Sequence, residues 1–154
     1  MAKLLILKKD PVDGKDTHAV SGLLKSDPTK PYAGTGDYTY KGEVTEGLSD
    51  FVRIDGIPLA VVTSASKLRD DGKDAHAAKN GSNFIPDGPD TSLAVLFVPP
   101  TGVGDGKPGT AAGSTLVRVA GAKALLDGDK FDTCGVGTGT ATVAAKKQSW
   151  VTSA

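Results

Sequence analysis

Gly47-Leu48-Ser49-Asp50-Phe51-Val52-Arg53-Ile54-Asp55-Gly56-Ile57-Pro58-Leu59-Ala60 is the stretch whose reading decides the fold class. Phe51 to Ile54 alternates apolar and polar residues at the two-residue period of a strand. Asp55-Gly56 supplies turn chemistry, and Ile57 to Val62 returns as a second apolar run. The stretch is a β-hairpin written in sequence. It is written again as Gly113-Ser114-Thr115-Leu116-Val117-Arg118-Val119-Ala120-Gly121-Ala122-Lys123-Ala124-Leu125, one residue shorter before the Val-Arg-Ile/Val core. A third, eroded copy is read at Gly137-Thr138-Gly139-Thr140-Ala141-Thr142-Val143. Three copies of one idea imply pseudo-threefold order.

Outward from these hairpins the chain continues as short strands and turns. Lys3 to Lys9 is an opening apolar run closed by Asp10-Pro11 and Asp13-Gly14. Tyr38 to Tyr40 alternates briefly, and Leu93 to Val98 is a β-favouring run ended by Pro99-Pro100. Leu116 to Ala120, Ala122 to Leu126 and Ala141 to Val143 complete the strand candidates. Residues 25–37 carry Pro28, Pro31, Gly34 and Gly36 and read as a long loop or edge excursion. Only 60–68 and 143–147 resemble short helices, and neither has a cap followed by a sustained 3.6-residue pattern. The expected fold is all-β, small, made of short strands and hairpins with pseudo-threefold organisation. A single domain over 1–154 is expected, with loop insertions at about 19–40 and 77–108.

Composition agrees and removes several function classes. The 154 residues include 20 Gly and 9 Pro, with 38% hydrophobic and only 5% aromatic residues, a balance of turns and short strands. Lys+Arg and Asp+Glu are both 18, and no basic cluster is dense enough to follow a phosphate backbone, so nucleic acid is not an expected partner. The longest apolar runs are too short to span a bilayer, and Met1 is not followed by a signal-type apolar core. Synthesis in the cytoplasm is the expectation. A lone cysteine excludes an internal disulfide and leaves Cys134 as buried thiol, nucleophile or metal ligand.

A second level of repetition surrounds every His and Cys. Asp16-Thr17-His18, Asp74-Ala75-His76 and Asp132-Thr133-Cys134 share an Asp two places before a ligand-type residue, and the three are spaced 58 residues apart (76 − 18 and 134 − 76). With Asp at about one residue in ten, chance produces the shared context roughly once in a thousand. Two imidazoles and a thiolate are the nitrogen and sulfur donors that Zn²⁺ prefers in tetrahedral sites, so His18, His76 and Cys134 are the candidate metal ligands. Zinc is the expected metal, with iron as the other option. The preceding Asp would set the turn or orient an imidazole. A nucleophilic Cys134 with a His base is the catalytic alternative, but Asp132-Thr133-Cys134-Gly135 carries no strand-to-helix elbow.

The segment Gly42-Glu43-Val44-Thr45-Glu46-Gly47-Leu48-Ser49-Asp50-Phe51-Val52-Arg53-Ile54-Asp55-Gly56-Ile57-Pro58-Leu59-Ala60, placed after Asp16-Thr17-His18, resembles the PAAR-repeat pattern. Val117-Arg118-Val119-Ala120-Gly121-Ala122-Lys123-Ala124 with Asp127-Gly128-Asp129 and Cys134 is similar to that family's second unit. Pro58-Leu59-Ala60-Val61 stands where the family has Pro-Ala-Ala-Arg. The resemblance covers about half the chain. It implies a conical, non-enzymatic tip protein with zinc near its apex, one copy capping the trimeric VgrG-type spike of a contractile injection device. It further implies effector cargo, transient contact with a target membrane, and assembly into a phage tail, type VI secretion system or extracellular particle. The family's zinc has three His and one Cys; with two His here, the remaining position would be taken by water, by a carboxylate or by nothing. A small zinc or cysteine hydrolase and a β-rich binding module are the rival readings.

Overall fold

The structure, a computed structural model, describes residues 1–24, 27–69, 75–76, 84–85, 96–97, 105–133, 135 and 140–153. It is all-β, and no helix occurs among the described residues.

Both copies of the hairpin form as read. Strand β4 (Arg53–Ile54) pairs with β5 (Ile57–Pro58) in the register Arg53↔Pro58 and Ile54↔Ile57. Strand β10 (Arg118–Val119) pairs with β11 (Ala122–Lys123) as Arg118↔Lys123 and Val119↔Ala122. The linking residues are left-handed in both, with φ of 51° and 79° at Asp55 and Gly56 and of 48° and 84° at Ala120 and Gly121. Two consecutive positive φ values give the turn whose twist matches antiparallel strands. Even the arginine brace repeats: a guanidinium N–H of Arg53 donates to Gly56 O at 3.1 Å, and one of Arg118 to Gly121 O at 3.0 Å.

Of the third copy read at residues 137–143, residues 137–139 lie outside the described residues, and Ala141–Val143 form a strand paired with Val12–Gly14. Strand β1 (Lys3–Leu4) pairs with β14 (Thr152–Ser153), so the two ends of the chain build the third corner. Its equivalence is visible in hydrogen bonds. Ser49 Oγ accepts from Val52 N at 2.9 Å, Ser114 Oγ from Val117 N at 3.0 Å, and Gln148 Oε1 from Val151 N at 2.8 Å. Ser149-Trp150-Val151-Thr152 therefore stands where the other corners have Asp50-Phe51-Val52-Arg53 and Thr115-Leu116-Val117-Arg118.

From each corner one segment runs inward, and the three close a ring. Ile6 N donates to Leu125 O at 3.0 Å, Leu125 N to Ala60 O at 3.0 Å, and Ala60 N to Ile6 O at 2.9 Å. All three residues are fully buried. Beyond the ring each segment makes the same tight turn. Leu7 N donates to Asp10 Oδ2 at 2.8 Å, Val61 N to Ser64 Oγ at 3.0 Å, and Leu126 N to Asp129 Oδ2 at 2.9 Å. The backbone N–H of Asp10, Ser64 and Asp129 returns the bond to the carbonyl of Leu7, Val61 and Leu126. Every inward amide is thus satisfied without water, as burial demands. Leu5, Leu7, Ile54, Leu59, Val61, Val119, Ala124 and Leu126 pack this base.

Each turn launches one outbound strand: β2 (Pro11–Leu24), β6 (Ala65–Leu68) and β12 (Lys130–Asp132). Between them run β3 (Asp27–Glu46), β9 (Lys107–Pro108) and β13 (Ala141–Val143), each leading toward a corner. The sheet order is β6-β3-β2-β13-β12-β9, with β7 (Phe84–Ile85) and β8 (Leu96–Phe97) also paired to β2. Its two ends almost meet, because Ser66 N donates to Gly106 O at 2.8 Å and Gly106 N to Ser66 O at 2.9 Å. The result is a nearly closed, barrel-like sheet. Residues 27–37 are strand and not the expected loop: β2 and β3 form one long ribbon paired from Pro11↔Glu43 to Leu24↔Asp27. Most of the expected insertion at 77–108 lies outside the described residues.

A barrel this narrow is filled by side chains. Val12, Tyr40, Val44, Phe131, Ala141 and Val143 occupy its lower interior, all fully buried. Tyr40 crosses the interior, and its Oη lies 2.9 Å from Ser66 Oγ. Glycine makes that crossing possible: a Cβ at Gly106 would fall 2.4 Å from Ser66 Oγ and 2.7 Å from Tyr40 Oη.

Candidate metal centre

Alternation along β2 carries the interior from apolar to polar. Val12, Gly14, Asp16 and His18 share one face, so the rule that buries Val12 also buries a carboxylate and an imidazole higher in the barrel. Asp16 is fully buried and His18 is 1% exposed. Tyr38, on the inward face of β3, lies across from them. Residues 75–76 deliver the second imidazole; Lys41 N donates to Ala75 O at 2.9 Å and so fixes this segment against β3.

The three side chains converge on one point. Asp16 Oδ2 lies 2.8 Å from His18 Nε2 and 2.8 Å from His76 Nε2, and the two Nε2 atoms are 3.2 Å apart. The Tyr38 ring stacks on His76 at 5.0 Å with an interplanar angle of 6°, and meets His18 edge-on at 5.5 Å. Burial pushes the Tyr38 phenol up to about 12, so it stays protonated at ordinary pH and is a packing wall, not an anionic donor.

Tetrahedral zinc with bonds near 2.0–2.1 Å separates neighbouring ligands by about 3.3 Å. The observed triangle is close to that size, its corners are nitrogen, nitrogen and oxygen, and Asp16 and His18 are buried while His76 is partly exposed. Asp16, His18 and His76 could hold a metal ion. Asp16 also reaches the next strand, since its Oδ1 accepts from Thr133 Oγ1 at 2.7 Å and from Gly135 N at 2.8 Å. Only glycine fits at 135, where a Cβ would lie 2.2 Å from Thr17 O and 2.3 Å from Asp16 Oδ1.

Of the candidate ligands, His18 and His76 come together across 58 residues of sequence. Cys134 lies outside the described residues, although both of its neighbours bond to Asp16. The three repeated Asp residues are not equivalent. Asp16 enters the centre; Asp132 is half-buried in β12, in register with Lys107; Asp74 is outside the described residues. Reading Asp16 as a residue that sets the turn or orients an imidazole left it out of the candidate ligands, whereas the Val12-Gly14-Asp16-His18 alternation places it on the face of His18.

A hollow of about 380 Å³ opens elsewhere, lined by residues that include Gly109, Ala112, Asp129 and Lys130, and it shares no residue with the three donors. Compared with family models, curated proteins and solved structures, the chain finds no match in any of the three.

Proposed function

We propose that this chain is a rigid, metal-pinned cap that docks by its base on the end of a threefold-symmetric protein. That is the part played by PAAR-like tips on trimeric VgrG-type spikes. One observation carries the reading. Apart from Met1, the exposed large hydrophobic residues among those whose side chains are described are Phe51, Leu116 and Trp150, at 69%, 71% and 65% exposure. Each directly precedes the valine, Val52, Val117 or Val151, that closes its corner, so they occupy equivalent positions of the three corners. A scattered exposed Leu or Phe is ordinary. One at each equivalent corner is the pattern expected where a single chain meets three identical subunits.

The metal reading belongs to the same proposal. Zinc, held by His18 and His76 with the Cys134 thiolate, would tie the outer ends of separate strands, a staple that matters in a chain with few aromatic residues; iron is the alternative for such donors. The near-complete burial of Asp16 and His18 favours a structural site over a hydrolytic one, which keeps an open position for substrate. The cap would be made in the cytoplasm and built, one copy per spike, into a phage tail or related contractile particle. Cargo and a brief encounter with the target membrane go with that role.

The test is binding to a co-expressed VgrG-type trimer, read by native mass spectrometry. One cap per trimer is expected, lost when Phe51→Ser, Leu116→Ser and Trp150→Ser are combined while the melting temperature holds. Undiminished binding of the triple variant would overturn the docking assignment.

A further inference from the structure

We infer that the protein met by the base presents carboxylates beside its docking pockets, and that Arg53 and Arg118 receive them. This rests on the docking reading above and names the chemistry of the surface that the base fits.

Charge is unevenly placed in this chain. Lys+Arg and Asp+Glu balance at 18 each over the whole sequence, but the segments that build the base, 1–10, 47–64, 109–129 and 144–153, hold eight basic and five acidic residues. Three of those acids are turned to backbone amides. Asp10 accepts from Leu7, Lys146 and Lys147, Asp127 from Ala145, and Asp129 from Gly113 and Leu126. The barrel wall above is different, because its cations are neutralised within the chain: Lys15 pairs with Asp37 at 2.8 Å, Lys67 with Asp105 at 2.7 Å and Arg69 with Asp13 at 2.9 Å. Among the described residues, no basic side chain of the base has such an ion pair.

The corners place two of these cations beside the apolar anchors. Arg53 follows Phe51 by two residues and Arg118 follows Leu116 by two, so each pair lies on one side of the strand alternation. Both arginines are exposed, while Ile54 and Val119 turn into the base. Each head is already braced on its own turn, by the bond to Gly56 O at 3.1 Å or to Gly121 O at 3.0 Å. A guanidinium has five N–H donors, so donors remain, and a head held in place loses less freedom on binding. A carboxylate is the acceptor that matches its fork.

The neighbours favour a protein over a phosphate surface. Nucleic acid and lipid headgroups reward dense positive charge, whereas here each arginine stands beside one large apolar side chain, the pairing typical of protein-interface hot spots. The third corner has Thr152 in the arginine's place, so two such contacts are expected per cap. They are unequal. Asp50 and Asp55 flank Arg53 and are exposed, while residues 113–126 contain Arg118 and Lys123 and no acid. Arg118 should therefore contribute more.

Calorimetric titration of the full chain into a VgrG-type trimer, at about 50 and about 300 mM NaCl, tests this. Wild-type affinity is expected to fall about tenfold or more at the higher salt. At the lower salt Arg118→Gln should lose about tenfold, Arg53→Gln about threefold, and Arg53→Glu combined with Arg118→Glu about a hundredfold or more, with melting temperatures unchanged. Should the double Glu variant melt early, the two Gln variants decide. Wild-type affinity in the charge-altered variants overturns the inference and leaves the docking reading standing. Binding of the wild-type chain to phosphatidylserine vesicles, lost in the double Glu variant while trimer binding is unchanged, assigns the arginines to phosphate and also overturns it. Failure of the wild-type chain to bind the trimer overturns both.

Discussion

The base and the upper barrel of this molecule solve the same problem, holding three segments together, by opposite means. At the base each corner repeats one set of backbone bonds, and the Ile6–Leu125–Ala60 ring closes with nearly equal lengths of 2.9–3.0 Å. At the upper end three unlike segments meet through side chains, with Asp16 and His18 from β2, His76 from beyond β6 and Thr133 from the end of β12. The base derives its order from local rules applied three times. The upper end depends on a convergence that happens once. Damage at the base should therefore be felt throughout, whereas damage above should be felt through the proposed metal.

The largest effect is expected at the ring. Leu125→Ala should cost about 3 kcal/mol in urea unfolding, and the cost should be the same with and without chelator. A chelator-dependent cost would mean that base and upper end are not separable. Next comes His76→Ala. In the wild-type chain, metal at a hundredfold above its dissociation constant should add about 2.7 kcal/mol. The variant should show no stabilisation by zinc in thermal melts. Smaller again are the turn residues. Asp10 accepts from the amides of Leu7, Lys146 and Lys147, so Asp10→Ala should cost about 2 kcal/mol. Ser64→Ala, at the equivalent neutral turn, should cost about 1 kcal/mol in the same assay. Equal costs would show that the three turns are energetically identical despite their different side chains. Smallest are the corner residues: Phe51→Ser, Leu116→Ser and Trp150→Ser should each change stability by no more than about 0.5 kcal/mol.

What could be read in advance follows the same division. The hairpins at Arg53–Pro58 and Arg118–Lys123 were legible because strand period and turn chemistry sit within a dozen residues. The third corner was not, since its halves lie at opposite ends of the chain and no contiguous window contains Trp150-Val151 together with Leu4-Leu5. The long ribbon was hidden by Pro28, Pro31, Gly34 and Gly36, which argue against a strand until a partner such as β2 overrides local preference. His18 and His76 were found through the Asp that precedes each. Asp16 itself was underestimated, because a turn-forming Asp and a buried one have the same sequence context and differ only in the face of β2 on which they fall.

The two hydrogen bonds between Ser66 and Gly106 have a consequence beyond the barrel's own stability. An open sheet presents a row of unpaired amides and carbonyls onto which another polypeptide can zip. With that seam stitched, the backbone at Ser66 and Gly106 is already paired and offers no margin there to neighbouring copies. A chain rich in β-structure could then be crowded at high local concentration without templating fibres, provided the seam holds.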